Sequence, residues 1–310
     1  MNGNENWADV CKLYNSLRDK GTSHQDAIKI VQAKYSGIGP INQKRLQDQY
    51  APPKPAPKPA PKPAPAPSTV ISTLDLRLLT KGGGSWNVEK VNMKKSDVTT
   101  FQGRSAVKTV YEKNSGTSND PGVGGFSFMA KPDGMNKQAI TFSWDVWYPK
   151  GFEFARGGKM GGTTVGYGAA SGGKHSETGA SNRIMWQVDG GVIDYIYPPY
   201  NLKQTIPGLE SDGYGCGFFG KEFAKALKFD TWNHIEIGTK MNTFKNGVPQ
   251  LDGETYVVVN GKKCVLKGIN WSKSPDLLIS DFSFSTFFGG PLPSPKWQVC
   301  YFSNFQMRKY

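Results

Sequence analysis

The apolar positions of this chain follow two different periods. Trp7, Val10, Tyr14 and Leu17 recur at helical intervals, and Ser23 with Asp26 three residues on has the form of a helix-capping box ahead of Ala27, Ile30 and Val31. These spacings predict a small module of two or three short helices over residues 1–50. From about residue 100 the period falls to two. Thr141, Ser143, Asp145 and Trp147 alternate with Phe142, Trp144, Val146 and Tyr148, as on a strand with one face in a core and the other outside it. Strand-like segments are predicted at 100–111, 125–130, 139–148, 183–188, 192–198, 232–240, 255–259, 264–267, 277–284 and 298–307, nearly all of them separated by turn residues. Such a succession predicts an all-β domain, a jelly-roll β-sandwich, over residues 68–310.

Residues 51–67 break both patterns. Pro-Lys-Pro-Ala occurs there three times, beginning at Pro53, Pro57 and Pro61, so the segment can be neither helix nor inner strand. It predicts a stiff polyproline II spacer reaching up to roughly 50 Å, at about 3.1 Å per residue. The fifty residues before it bury little apolar surface by themselves, which leaves room for an unidentified protein partner of residues 1–50.

Composition agrees with many short strands and turns: Gly 37, Pro 21 and 12% aromatic residues. The net charge of +13 is shared between residues 1–67, which hold ten Lys or Arg against five Asp or Glu, and a remainder of +8. A surplus of this kind attracts a polyanion, either an acidic polysaccharide or a nucleic acid. No nucleic-acid-binding motif accompanies it, so nucleic acid ranks last. Cys11, Cys216, Cys264 and Cys300 show no close pairing and no His at ligand spacing, so free thiols are expected, with no metal and no cofactor. Met1 to Asp9 is polar, unlike a signal peptide, and no run of about 18 apolar residues occurs. The expectation is a chain made in a cytoplasm, with no membrane partner.

Candidate chemistry concentrates in residues 151–200. Gly157-Gly158-Lys159-Met160-Gly161-Gly162 lacks the spacing of a phosphate loop, which leaves a lysine on a strand whose glycines let a ligand approach the backbone. Ser181-Asn182-Arg183 follows, and then Tyr195 and Tyr197, two positions apart and so on one sheet face. This set suits removal of the C5 proton of a uronate with loss of the glycosidic oxygen on C4. The neighbouring carboxylate must first be neutralised, a task for Lys159 and for Arg183, which can grip it bidentately. A nearby cation can lower a tyrosine pKa of about 10 by about 1 to 3 units, which makes Tyr195 and Tyr197 the base and acid, in an undecided order. In β-linked glucuronate or mannuronate the C5 hydrogen and the C4 oxygen share one side of the ring, so base and acid approach from one face.

The mechanism depends on the hairpin around Asp189-Gly190-Gly191. A three-residue loop with Gly191 left-handed pairs Met185 with Tyr195 and Arg183 with Tyr197, placing Ser181, Arg183, Tyr195 and Tyr197 on one concave face and Ile184, Trp186 and Ile196 on the other. Ser181 and His175 are candidates for substrate binding, His175 evenly balanced against a bystander role, while His234 reads as structural and His24 belongs to the helical module. Glycosidase chemistry needs facing carboxylic acids, and Glu153, Glu177, Asp189 and Asp194 offer no convincing pair. A non-catalytic, lectin-like jelly roll that binds acidic polysaccharide is the alternative.

Phe152-Glu153-Phe154 with Gly157-Gly158-Lys159, Ser181-Asn182-Arg183, Tyr195-Ile196-Tyr197 and Thr286-Phe287-Phe288-Gly289-Gly290 together resemble polysaccharide lyase family 14, which includes chlorella-virus glucuronate lyases and mollusc alginate lyases. The resemblance spans roughly residues 70–310 and departs at Gly161, where many relatives have proline. It implies a jelly roll with an open cleft, metal-independent elimination, site residues Lys159, Ser181, Arg183, Tyr195, Tyr197 and His175, and a virion or lysis role in breaching an algal wall.

Overall fold

The computed structural model describes residues 7–35, 40–50, 68–117, 120–168, 170–200, 202, 204, 206, 214–289 and 292–310. The polyproline spacer expected at 51–67 lies outside the described residues, as does the side chain of Trp7. The chain divides into two compact units, Met1–Pro63 and Ala64–Tyr310.

The first unit holds α1 (Trp7–Asp19), α2 (His24–Lys34) and α3 (Pro40–Gln49). Ser23 caps α2, its Oγ accepting from Asp26 N, so one of the otherwise unpaired first-turn donors is satisfied. Val10, Tyr14, Ala27, Ile28, Val31 and Leu46 form its core. Ile30, expected on the apolar face, is instead 46% exposed and Ile28 is buried. Either residue completes a helical stripe with Ala27 and Val31, and only packing chooses between them.

The second unit is a jelly-roll β-sandwich of two antiparallel sheets. The larger runs in the order β15 (Lys262–Ile269), β14 (Gly253–Val259), β11 (Trp232–Lys240), β6 (Ala139–Trp147), β17 (Gln298–Arg308), β4 (Arg104–Tyr111) and β3 (Asp97–Phe101), with β1 (Val70–Thr73) also on β17. The other runs β10 (Cys216–Phe218), β9 (Val192–Tyr197), β8 (Gly179–Gln187), β7 (Gly157–Gly166), β16 (Ile279–Phe288), β5 (Phe126–Ala130) and β2 (Val88–Asn92). A two-stranded ribbon, β12 (Phe244–Lys245) with β13 (Val248–Pro249), stands apart from both.

The alternation read from 139–148 is the packing rule of the sandwich. Phe142, Trp144 and Val146 are wholly buried, and across the core Phe142 stacks on Phe282 at 4.4 Å between ring centroids while Trp144 meets Phe284 edge-on at 5.7 Å. Burying each such ring contributes about 1.5–3 kcal/mol. A polar seam also crosses the core. Asn182 Nδ2 donates to Thr239 Oγ1 at 2.8 Å and to Thr255 Oγ1 at 2.9 Å, and Thr255 Oγ1 donates to Asp194 Oδ2 at 2.9 Å. With no water to reach Asp194, burial pushes its carboxyl up to about 7, against the Thr255 hydrogen bond.

Two sequence expectations change. The segment 100–111 is no single strand, because Gln102 and Gly103 are both left-handed and close the β3–β4 hairpin. The glycines around Lys159 serve the protein rather than a ligand. A Cβ at Gly158 would stand 1.9 Å from the Trp186 ring, one at Gly161 2.6 Å from Phe284, and one at Gly162 1.9 Å from the Asn182 carbonyl. Strand β7 is stripped of side chains so that large rings and the neighbouring strand can close on it.

Candidate active site

Strands β7, β8 and β9 lie side by side, and their outward side chains meet on the sheet face that points away from the core. The β8–β9 register pairs Arg183 with Tyr195, Ser181 with Tyr197 and Met185 with Ile193. This corrects the expected register by two residues. The three-residue connection is Val188-Asp189-Gly190, with Gln187 N donating to Gly191 O at 2.7 Å, and the left-handed residues are Asp189 and Gly190, while Gly191 is extended. The cause is tertiary: Leu227 N donates to Gly190 O and Val192 N to Phe223 O, which seats the turn on the 223–227 segment. A two-residue shift preserves face, so Ser181, Arg183, Tyr195 and Tyr197 share the outer side, and Ile184, Trp186, Asp194 and Ile196 are buried in the core.

Lys159 arrives from β7, where it pairs with Met185. Its Nζ lies 3.4 Å from Met185 Sδ and 4.2 Å from the centroid of the Tyr195 ring. The amine thus rests on a sulfur and a π-face, and none of the ion pairs among the described residues includes it. Burial, and then the charge of Arg183, bring its pKa down to about 7. Desolvation works against the Arg183 guanidinium too, and Tyr197 and Asp281 act in its favour. Arg183 Nε and Asp281 Oδ1 are both buried without a hydrogen-bond partner among the described residues.

The tyrosines and His175 form the adjoining wall. Tyr195 and Tyr197 meet edge-to-face at 5.5 Å, and the His175 ring stands 5.4 Å from Tyr197 and 5.9 Å from Tyr200. Gly173 N donates to the Tyr197 hydroxyl at 3.2 Å. Ser181 shares the face but is only 1% exposed, and its hydroxyl donates to Ala170 O at 2.6 Å, so it fastens the loop rather than facing open space. His234 lies on the other sheet, between Asp145 and Glu236, away from this set.

Sequence reasoning missed Met185, Tyr200 and Asp281. Met185 was legible in principle, two positions from Arg183 on the same strand face. Asp281 was not, since it joins the site only because β16 pairs with β7, opposite Thr164.

A family model described as "Polysaccharide lyase 14" matches residues 99–305. The crystal structure of alginate lyase vAL-1 from Chlorella virus is 75% identical, with a TM-score of 0.77, and covers 78% of this chain and 100% of its own. The PL-14 alginate lyase of the marine Aplysia kurodai is 23% identical, with a TM-score of 0.64, over 78% of this chain and 100% of its own, a likeness of fold. Exolysin of Paramecium bursaria Chlorella virus 1 is 33% identical over 196 residues, 55% of this chain, and the chain spans 29% of that relative's length. The chain belongs to polysaccharide lyase family 14 and is an enzyme, which sets aside the lectin-like reading of the same fold.

Proposed function

We propose that the chain cleaves β-linked polyuronates, glucuronate- or mannuronate-containing, by β-elimination on the face built from Lys159, Arg183, Tyr195 and Tyr197. The observation that carries this reading is a half-buried lysine amine resting on the Tyr195 ring, on the sheet face that also holds the Arg183 guanidinium and the Tyr197 phenol, where burial and Arg183 bring the amine pKa down to about 7. Arg183 takes the substrate carboxylate and offsets the charge that builds when C5 loses its proton. The sequence assigned Lys159 to the same task. An amine half unprotonated near neutrality is better suited to moving protons, so Lys159 joins Tyr195 and Tyr197 as proton carrier.

One of these groups takes the C5 proton, the electron pair forms the C4–C5 double bond, the C4–O bond breaks, and a second group or the same one protonates the leaving oxygen. Tyr197 is only 1% exposed, its hydroxyl accepts from Gly173 N, and it shares its sheet face with Tyr195, as base and acid for such a sugar must approach from one face. The likeness to vAL-1, an alginate lyase by name, supports a uronate substrate, and because both relatives come from chlorella viruses the polymer is proposed to be that of an algal cell wall.

The test is incubation with polyglucuronate, alginate and a neutral glucan, with and without chelator, while following the ultraviolet absorbance of unsaturated uronides. Absorbance growing with a polyuronate alone, unaffected by chelator, is expected. New reducing ends without unsaturation would show hydrolysis and overturn the reading.

A further inference from the structure

The outer face of β16 carries the site beyond Lys159. Phe287 pairs with Lys159 across the β7–β16 ladder, and Ser285 and Phe287 alternate with the buried Phe284, Thr286 and Phe288, so both point the same way as the lysine. On the far side of these two residues opens a cleft of about 440 Å³, lined also by Lys94, Thr117, Asp120 and Val123. With neighbouring strands about 4.8 Å apart, the cleft begins one strand from Lys159.

The charge in this cleft is held in place. Lys94 lies in the turn between β2 and β3, and its Nζ donates to Gly124 O at 2.6 Å. Ser96 Oγ donates to Gly125 O at 3.0 Å, tying the same turn to the same stretch. Gly125 is left-handed and passes so close to β16 that a Cβ would stand 1.6 Å from the Thr286 carbonyl. Lys94 is thus anchored to a backbone that is itself fixed against β16. Nearby cations are matched, Lys95 with Glu112 and Lys131 with Glu89. Lys94 has no ion pair among those of the described residues, and the carboxylate of Asp120 is engaged by Thr117 N at 2.6 Å and Thr117 Oγ1 at 3.0 Å.

A polyuronate carries one carboxylate on every sugar, and the cutting site takes one of them. We infer that the Lys94 cleft is a distal subsite, binding the carboxylate of a uronate residue further along the same polysaccharide chain, with Phe287 offering a ring face to a sugar between. The inference rests on the polyuronate reading above. It makes the enzyme depend on substrate length: a long chain reaches both charges and a short one reaches only the cutting site.

Lys94→Gln in the full chain tests this against long polyuronate and a uronate trisaccharide. The expected result is a KM for the polymer raised roughly tenfold, the scale of one lost charge-assisted hydrogen bond, with kcat and both trisaccharide constants unchanged. Equal losses on both substrates, or none on the polymer, would overturn the subsite. Binding of intact polymer to Lys159→Ala protein, with and without Lys94→Gln, reads the cleft without turnover. A tenfold weaker affinity there supports the subsite even if the wild-type products carried no unsaturation, a result that would count against elimination alone, and unchanged affinity overturns it.

Discussion

Lys159 is the residue whose surroundings and chemistry diverge most from a surface lysine. Its amine has exchanged water for Met185 Sδ and the Tyr195 ring, and the form favoured by that exchange is the neutral one. Because the pKa falls to about 7, the unprotonated amine accumulates as pH rises through that value, so kcat/KM is expected to climb from acid pH and level off above about 7. Lys159→Ala should lower turnover by roughly 100-fold or more with the fold intact. Lys159→Arg separates the two roles: it keeps a charge and cannot give up a proton, so it should be nearly as inactive as the alanine variant. An arginine variant with near-normal rates would return the lysine to carboxylate neutralisation. Tyr195→Phe and Tyr197→Phe each remove one oxygen and keep the edge-to-face packing, so a loss of kcat without loss of thermal stability is expected for at least one, and two active variants would remove the phenols from proton transfer. The charge of Asp281 favours the Arg183 guanidinium. Asp281→Asn removes the carboxylate that offsets the burial of the guanidinium, and kcat/KM for polyuronate should fall by roughly tenfold, mainly in KM, about 1.4 kcal/mol. An unchanged KM in that variant would exclude Asp281 from positioning the arginine.

At the scale of elements, the two sheets divide the work. On the face built by β7, β8 and β9 Lys159 has no ion pair among those of the described residues, whereas the larger sheet holds a linked set of opposite charges. There His234 of β11 joins Asp145 of β6 at 2.7 Å and Glu236 at 3.1 Å, and Arg308 of β17 reaches Glu236 at 3.4 Å. Burial disfavours the charged ring, but the hydrogen bonds and charges of Asp145 and Glu236 outweigh it and raise the His234 pKa to about 9. An unfolded histidine titrates near about 6.5, so this group's stabilisation is fully present below that pH and is lost as pH rises through about 9. With the side chain 32% exposed, about 1–2 kcal/mol is expected after allowing for screening. Denaturant midpoints of wild type and His234→Gln should therefore differ most near pH 6 and converge by about pH 9.5. A gap independent of pH would mean that packing, not charge, holds the histidine there.

Taken whole, the molecule is a catalytic sandwich preceded by a separate helical unit. Removing residues 1–67 should leave cleavage of soluble polymer within about twofold of the full chain, because the sandwich keeps its own core. A truncated protein that fails to fold would show that the sandwich needs the first unit. The sequence by itself determined what depends on local period and parity. Alternation fixed that Phe142, Trp144 and Val146 face inward, Ser23 and Asp26 marked the start of α2, and the even spacing from Arg183 to Tyr195 and Tyr197 put them on one face for any three-residue turn. Only the tertiary structure decided what depends on partners distant along the chain. The 223–227 segment set which three residues turn between β8 and β9, Trp186 and Phe284 explained the glycines of β7, and the pairing of β16 with β7 brought Asp281, Phe287 and the Lys94 cleft beside Lys159. A strand records which of its faces is buried in its own alternation, but its neighbour in the sheet is set by long-range packing, which leaves no local period to read.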